Sequence, residues 1–391
     1  MYKRRELYTT LIFLIFIVGF AAAFLILPDA NFSAQENRGL QTLPKLSTVS
    51  ILSGDYSARM NDYFADQFPA RDLLVGLKCG CELVLGKDEN DGILLGKNGH
   101  LARVLFDART YDGEILSDVD CFDQRHVKNA CDALTRTGKD LQIPFGILLT
   151  GRTIDVCASS FEYPRKTSDE LLETVYGELG DTTIAVDTVD ALRARHDAGE
   201  YVYYRTDHHW TTRGAYYAYV ALMQSFGMAD ITIDEAAFRK SVVSDAFYGT
   251  AWSAGGMKQV APDEIEIWSL GNENSFCVTA DGCEIDGFYN FDYLSKKDQY
   301  SLFLDGTHDV VTVCKRTSEE RPRLLILKDS FANAMVPFLA QHFDLVLLNL
   351  SSSRNDFTDI SDAVQQYDAD FAALIYTLEN IITADRVTHL H

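Results

Sequence analysis

Four short runs dictate most of what this chain can become: IPFGILLT (143–150), RLLILKDS (323–330), LVLLNL (345–350) and FAALIYTL (371–378). Each has a core of consecutive apolar positions, LLIL in the second run, rather than apolar residues at every second one. A strand with one wet face alternates; a continuous apolar run is a strand covered on both faces. Helical stretches lie between and around them: TRGAYYAYVALMQSFG (212–227), ended by Gly227; FANAMVPFLAQHF after the second run; the segment around DAVQQY before the last. Strands alternating with helices predict an α/β three-layer sandwich around a mostly parallel sheet. Two weaker signals add a strand and short helix in TIAVDTVDAL (183–192) and a strand in EYVYYRTD (200–207).

The rest of the chain is less regular. Residues 245–320 read as an insertion or a strand-rich flank, with aromatic and Gly-rich segments. Before the sandwich, Met60, Tyr63, Phe64 and Phe68 share one face of a predicted helix, NDGILLGKNGHLARV reads as a β-hairpin, and residues 121–139 as an amphipathic helix. The expected domains are an anchor (1–30), a helical and hairpin segment packing on the core (31–100), and the α/β domain (101–391).

MYKRRE is a basic start, and Leu7 to Leu27 carry no charge. Twenty-one helical residues rise about 31 Å, enough for a bilayer core of about 30 Å. The apolar run continues through Phe24 to Leu27, past the small residues Ala21 and Ala23, which favours an uncleaved anchor over a signal peptide. Lys3, Arg4 and Arg5 would stay inside, leaving the chain after Pro28 outside the cytoplasm. A formal charge of −22, spread without long single-sign runs, suits a solvated ectodomain and excludes a nucleic-acid partner. In an exported chain the eight cysteines are candidates for disulfides, with Cys277 and Cys283 flanking a turn-like VTADG. Cys79 and Cys81 lack a second pair at zinc spacing and read as structural.

Two stretches carry chemistry. In YYRTDHHWTTRGAYYAY (203–219), Asp207 and His209 are two apart, so on an extended strand they share a face while His208 points away. A carboxylate beside an imidazole fixes its tautomer. In LLILKDSFANAMVPFL, Ser330 follows an apolar strand, where a hydroxyl projects at the sheet's C-terminal edge. Asp and Ser are also ordinary helix caps. Trp210 reads as packing beside the site or as a sugar platform.

These residues resemble the signature of the DHHW protein family, which is related to the alginate O-acetylation proteins of the AlgX and AlgJ type and is SGNH-hydrolase-like. FADQFPARD (64–72), GILLGKNGHL (92–101), AFYGTAWSAGG (246–256) and YSLFLDGTHDVVTV (300–313) extend the resemblance over roughly residues 35–380. It implies a triad of Ser330 as nucleophile, His209 as base and Asp207 as orienting acid. The N–H groups of Phe331 and Gly306 are then candidate oxyanion donors. Thr307 stands where relatives carry an Asn, Asn349 where they carry an Asp, and Arg354 is displaced from its expected place. The implied activity is an exported, membrane-anchored O-acetyltransferase or acetylesterase on a cell-surface or secreted polysaccharide. The implied partner is a membrane-bound O-acyltransferase supplying acetyl groups, and no cofactor or metal is called for. The departures keep a catalytically weakened glycan-binding or scaffold protein open, and the histidine pair keeps a metal-dependent hydrolase open.

Overall fold

A computed structural model describes residues 2–33, 35–36, 38–104, 123–161, 167–350, 359–384 and 386–390. The chain forms two units: residues 1–90 with 256–259, and residues 91–255 with 260–391.

The first unit begins with a helix over Tyr2–Ile26. Its Glu6–Ile26 portion has a mean hydropathy of 2.7 and is the one helix, among the described residues, long and apolar enough to cross a membrane. The helix over Asp55–Asp66 packs on its C-terminal turns. Phe20 stacks on Phe68 at 5.3 Å, and Phe24 meets Phe64 at 5.5 Å and the edge of Tyr63 at 5.7 Å. The aromatic face expected at 60–68 is thus the face that meets the N-terminal helix.

The second unit is built on eight strands: β1 Phe145–Thr150, β2 Ile184–Ala185, β3 Phe276–Ala280, β4 Cys283–Ile285, β5 Val310–Lys315, β6 Arg323–Lys328, β7 Asp344–Asn349 and β8 Phe371–Thr377. The order across the sheet is β4-β3-β5-β7-β6-β8-β1-β2. The β7-β6-β8-β1-β2 half is parallel, and β5, β3 and β4 extend it antiparallel. The four apolar runs are β1, β6, β7 and β8, adjacent at the centre. Every residue of β1 is buried, as are Leu324 to Lys328 of β6, so both faces are covered. Full burial of each such aliphatic side chain is worth about 1.5–3 kcal/mol. The Thr212–Ser225 helix packs on β1, where a Cβ on Gly146 would lie 3.2 Å from Leu222. The stretch 245–320 supplies the antiparallel edge and one strand, Asp263–Ser269, of a two-stranded ribbon with Arg239–Phe247. The hairpin Ile93–Leu95/Leu101–Arg103 falls in this second unit.

Two expectations fail. Residues 200–207 are not a ladder strand. Tyr203 bridges Trp210 alone, with Tyr204 N–H bonded to the His209 carbonyl and Thr211 N–H to the Val202 carbonyl. The segment therefore folds back on itself in a tight reversal. Nor do Cys277 and Cys283 form a disulfide. Cys283 pairs in register with Ala280, and Cys277 lies opposite Cys314 across β3 and β5.

Candidate active site

The reversal at 203–210 is held from a distance. Asp263, fully buried, accepts hydrogen bonds from the N–H of Arg205 and Thr206, the Thr206 hydroxyl and the Tyr201 hydroxyl. The Thr206 carbonyl accepts the Trp252 N–H at 3.0 Å, and its hydroxyl accepts the Gly249 N–H at 3.0 Å. A bend that no local pattern encodes is thereby locked, and it carries Asp207, His208 and His209.

Asp207 and His209 come together as the spacing suggested. His209 Nδ1 lies 2.5 Å from Asp207 Oδ1, and the His209 backbone N–H reaches the same oxygen at 3.0 Å. The other carboxylate oxygen accepts the Thr250 N–H at 2.8 Å and its hydroxyl at 3.1 Å. Burial opposes the charge on Asp207, yet the two neighbouring imidazoles and the Thr250 donors hold its carboxyl far below the usual carboxylate range. His209 Nε2 lies 2.7 Å from the Ser330 hydroxyl. Tyr300 stacks flat on the His209 ring at 3.8 Å, and Phe331 leans on it at 4.8 Å. The ring is sandwiched, so its two nitrogens point in fixed directions.

The cap reading of KDS belongs to Asp329 rather than Ser330. Asp329 accepts from Phe331 N–H (3.0 Å), Thr377 N–H (2.7 Å) and the Asn380 amide (3.1 Å). That arrangement closes the short 3₁₀ turn over Ser330–Met335 and ties it to the end of β8. Burial raises the Asp329 carboxyl, and these donors counter it. Lys328 is also buried, and burial pushes its ammonium down to about 8. It donates to Asn333 Oδ1 at 2.6 Å, and Asn333 donates to the Gly306 carbonyl at 3.2 Å. Leu304, Asp305 and Gly306 are all left-handed, so this chain pins a strained loop against the turn that carries Ser330.

Other expected residues fare differently. The two N–H groups expected to serve an oxyanion are engaged: Phe331 N–H bonds Asp329, and Gly306 N–H bonds the Phe303 carbonyl at 3.3 Å. Thr307 lines a cavity of about 420 Å³ together with Ser330, His208, Arg152, Lys328 and Asn349. Trp210 is fully buried and donates to the Phe331 carbonyl at 3.0 Å, a packing role beside the site. Arg354 lies outside the described residues. His208 does not face away, because the backbone bends where a strand was expected. Its ring centre is 3.9 Å from that of His209, and its Nδ1 meets the Thr250 hydroxyl at 2.6 Å. Asp207, His208 and His209 have the residue types of a metal site. Four donors already fill the Asp207 carboxylate, however, and His209 Nδ1 and Nε2 are both engaged. Sequence reasoning missed Thr250, Tyr300, Lys328 and Asp329 as parts of the site. All four lie in stretches that carried the family resemblance, but only their long-range contacts reveal the roles.

The fold and sequence find relatives. No curated protein matches the chain. Its α/β fold is that of a DHHW family protein from Eubacterium siraeum (TM-score 0.59, 19% identity, 75% of this chain and 97% of that one). It is also that of Bacillus cereus PatB1 with a sulfonyl adduct (TM-score 0.61, 17% identity, 76% and 98%). The O-acetyltransferase domain of Pseudomonas putida AlgJ is more distant (TM-score 0.46, 14% identity, 75% and 92%). Residues 175–349 match the DHHW protein family model, a segment that spans Asp207, His209 and Ser330.

Proposed function

We propose that this chain is a serine-dependent O-acetyltransferase or acetylesterase acting on a cell-surface or secreted polysaccharide. The observation that carries the reading is the continuous contact Asp207–His209–Ser330, at 2.5 and 2.7 Å, opening on a cavity. Ser330 Oγ attacks the acetyl carbonyl while His209 Nε2 takes its proton. The donor's leaving oxygen departs with that proton, and acetyl-Ser330 remains. A sugar hydroxyl then attacks, gives its proton to His209, and leaves acetylated as Ser330 recovers its own. Water in place of the sugar gives hydrolysis. Asp207 holds the imidazole in the tautomer that leaves Nε2 free to accept. The sulfonyl adduct on a protein of the same fold supports a reactive nucleophile in this architecture.

The N-terminal helix holds the catalytic part at the membrane, outside the cytoplasm, in reach of a membrane-bound O-acyltransferase that supplies acetyl groups. The test is full-length chain in detergent with p-nitrophenyl acetate. An acetyl adduct on Ser330, found by mass spectrometry and absent in Ser330→Ala, is the expected result. Undiminished turnover by Ser330→Ala would overturn the assignment.

One observation favours a second reading. The Phe331 and Gly306 amides are already engaged, and losing one oxyanion donor lowers rates by about 100- to 1000-fold. A chain that binds acetylated glycan without ever forming acetyl-Ser330 is the weakened, scaffold form of this fold.

A further inference from the structure

We propose that His100, Cys157 and His196 form a zinc site in the α/β unit, separate from Ser330 and independent of how that serine is read. The three come from different elements. His100 ends the turn of the 93–103 hairpin, Cys157 follows the short Thr153–Val156 helix, and His196 sits in the last turn of the Val189–Asp197 helix. One ligand atom from each lies within 4.8 Å of the others. At bond lengths of about 2.0–2.3 Å, tetrahedral zinc holds its donors roughly 3.3–3.8 Å apart. Contraction by about 1 Å, within side-chain rotation, closes the set around an ion.

The surroundings suit an ion as well as the ligands do. His100 Nδ1 lies 3.2 Å from the Lys97 carbonyl, which makes Nδ1 the protonated nitrogen and leaves the Nε2 lone pair for a metal. A backbone carbonyl orienting a ligating imidazole is the usual outer partner at such sites. The two imidazoles stand edge to face at 5.1 Å and 86°. The Ser160 hydroxyl lies 2.8 Å from His196 Nε2, an oxygen donor at the edge of the set. Cys157 is fully buried, and its thiol has no hydrogen-bond partner among the described residues. The nearby carboxylate of Asp197 is taken by Ser159 at 2.6 Å. Two imidazoles and one thiolate select a borderline ion such as Zn²⁺ over Mg²⁺ or Ca²⁺, which demand oxygen.

The consequence is mechanical. Arg152 and Thr153, five and four residues before Cys157, line the cavity that holds Ser330. A zinc ion would staple the hairpin to the segment that forms that wall.

Cobalt tests the site directly. Full-length chain in detergent is stripped with a chelator and titrated with Co²⁺. The expected result is one ion per chain, with a thiolate-to-cobalt charge-transfer band and the intense visible bands of a tetrahedral site, displaced by Zn²⁺. Cys157→Ala should lose the charge-transfer band, and His196→Gln should weaken binding at least tenfold. His208→Gln, at the other histidine cluster, should change neither. Zn²⁺ should raise the melting temperature of the wild type but not of Cys157→Ala. Folded wild-type chain that shows no charge-transfer band overturns the proposal whatever the variants do, as does a band that survives Cys157→Ala.

Discussion

Gly249→Ala is the most direct test of how Asp207 is held. A Cβ at Gly249 would sit 2.2 Å from Asp207 Cβ, 2.4 Å from its Oδ2 and 2.6 Å from its Cα. One of those atoms is backbone, and the Asp207 side chain is locked by four donors, so the neighbour cannot swing aside. The turn carrying Thr250 must instead withdraw by about 1 Å to reach ordinary contact, and with it go the N–H and hydroxyl that serve Asp207 Oδ2. Hydrogen bonds to a charged group are worth about 1.5–3 kcal/mol each. Losing both predicts destabilisation of about 3 kcal/mol or more, after partial relaxation. A loosened Asp207 no longer fixes the His209 tautomer, so turnover of p-nitrophenyl acetate should fall at least about 100-fold, equivalent to roughly 2.7 kcal/mol of barrier. Urea unfolding followed by circular dichroism reads the first effect and steady-state kinetics the second. Gly177→Ala is the control. It lies in the Asp169–Glu178 helix with nothing within 4 Å of its added methyl, and should be neutral or stabilise by about 0.5–1 kcal/mol. A Gly249→Ala chain within about 0.5 kcal/mol of wild type would show that this turn does not abut Asp207.

Asp207→Asn keeps the shape and alters one atom. Either orientation of the amide sets an N–H against a donor, from Thr250 or from His209, and the second locks the imidazole in the wrong tautomer. A loss of about 10⁴ in turnover is expected, with Ser330 still present but unacetylated. Chain oxidised under exchange conditions should link Cys277 to Cys314. Directly opposed antiparallel residues sit about 4.5–5.5 Å apart, inside the range a disulfide spans. Non-reducing peptide mapping that finds Cys277–Cys283 instead would refute the register. His342, stacked on Tyr219 and held by its hydroxyl at 2.7 Å, is pushed down to about 4, first by burial and then by Arg321. An unfolded imidazole near 6.5 takes a proton that the folded one refuses, so stability contributed above that pH is lost as pH falls towards 4. His342→Gln should remove about one proton of uptake from the acid limb of unfolding measured between those values.

The central sheet was legible because its strands are buried on both faces. Leu324 to Leu327, Leu345 to Leu348 and Ala372 to Ile375 leave no polar alternation to be misread. The same logic misled at 200–207. EYVYY has the composition of a strand, and Tyr203 and Tyr204 are indeed buried, but no strand ladder forms along it. Backbone hydrogen bonds of Tyr204 and Val202 close on His209 and Thr211, and the clamp that makes this stable, Asp263, lies more than fifty residues downstream. A local pattern reports burial; it does not report which partner satisfies the backbone. His208 follows from the same misreading, since alternation of faces holds only along an extended backbone.

The three polar residues that end β6 illustrate the same limit within the site. Lys328, Asp329 and Ser330 read in sequence as interchangeable helix-start chemistry, and Ser330 had a fair claim to be a cap. The structure divides the labour by geometry. Asp329 spends its two oxygens on Phe331, Thr377 and Asn380, which relieves Ser330 of capping and turns its hydroxyl to His209. Lys328 reaches through Asn333 to the Gly306 carbonyl and fixes a loop whose left-handed residues would otherwise relax. Each of these side chains is costly to bury alone, since an unpaired buried polar group costs about 1–3 kcal/mol and more when charged. They are tolerable only when paired, so truncating Lys328 or Asp329 strands the groups bonded to it. Ser330 is the exception, because its hydroxyl serves no structural partner other than the imidazole. That asymmetry is the physical reason to expect Ser330→Ala to fold like wild type and differ only in chemistry, while substitutions at Lys328 or Asp329 lose stability first.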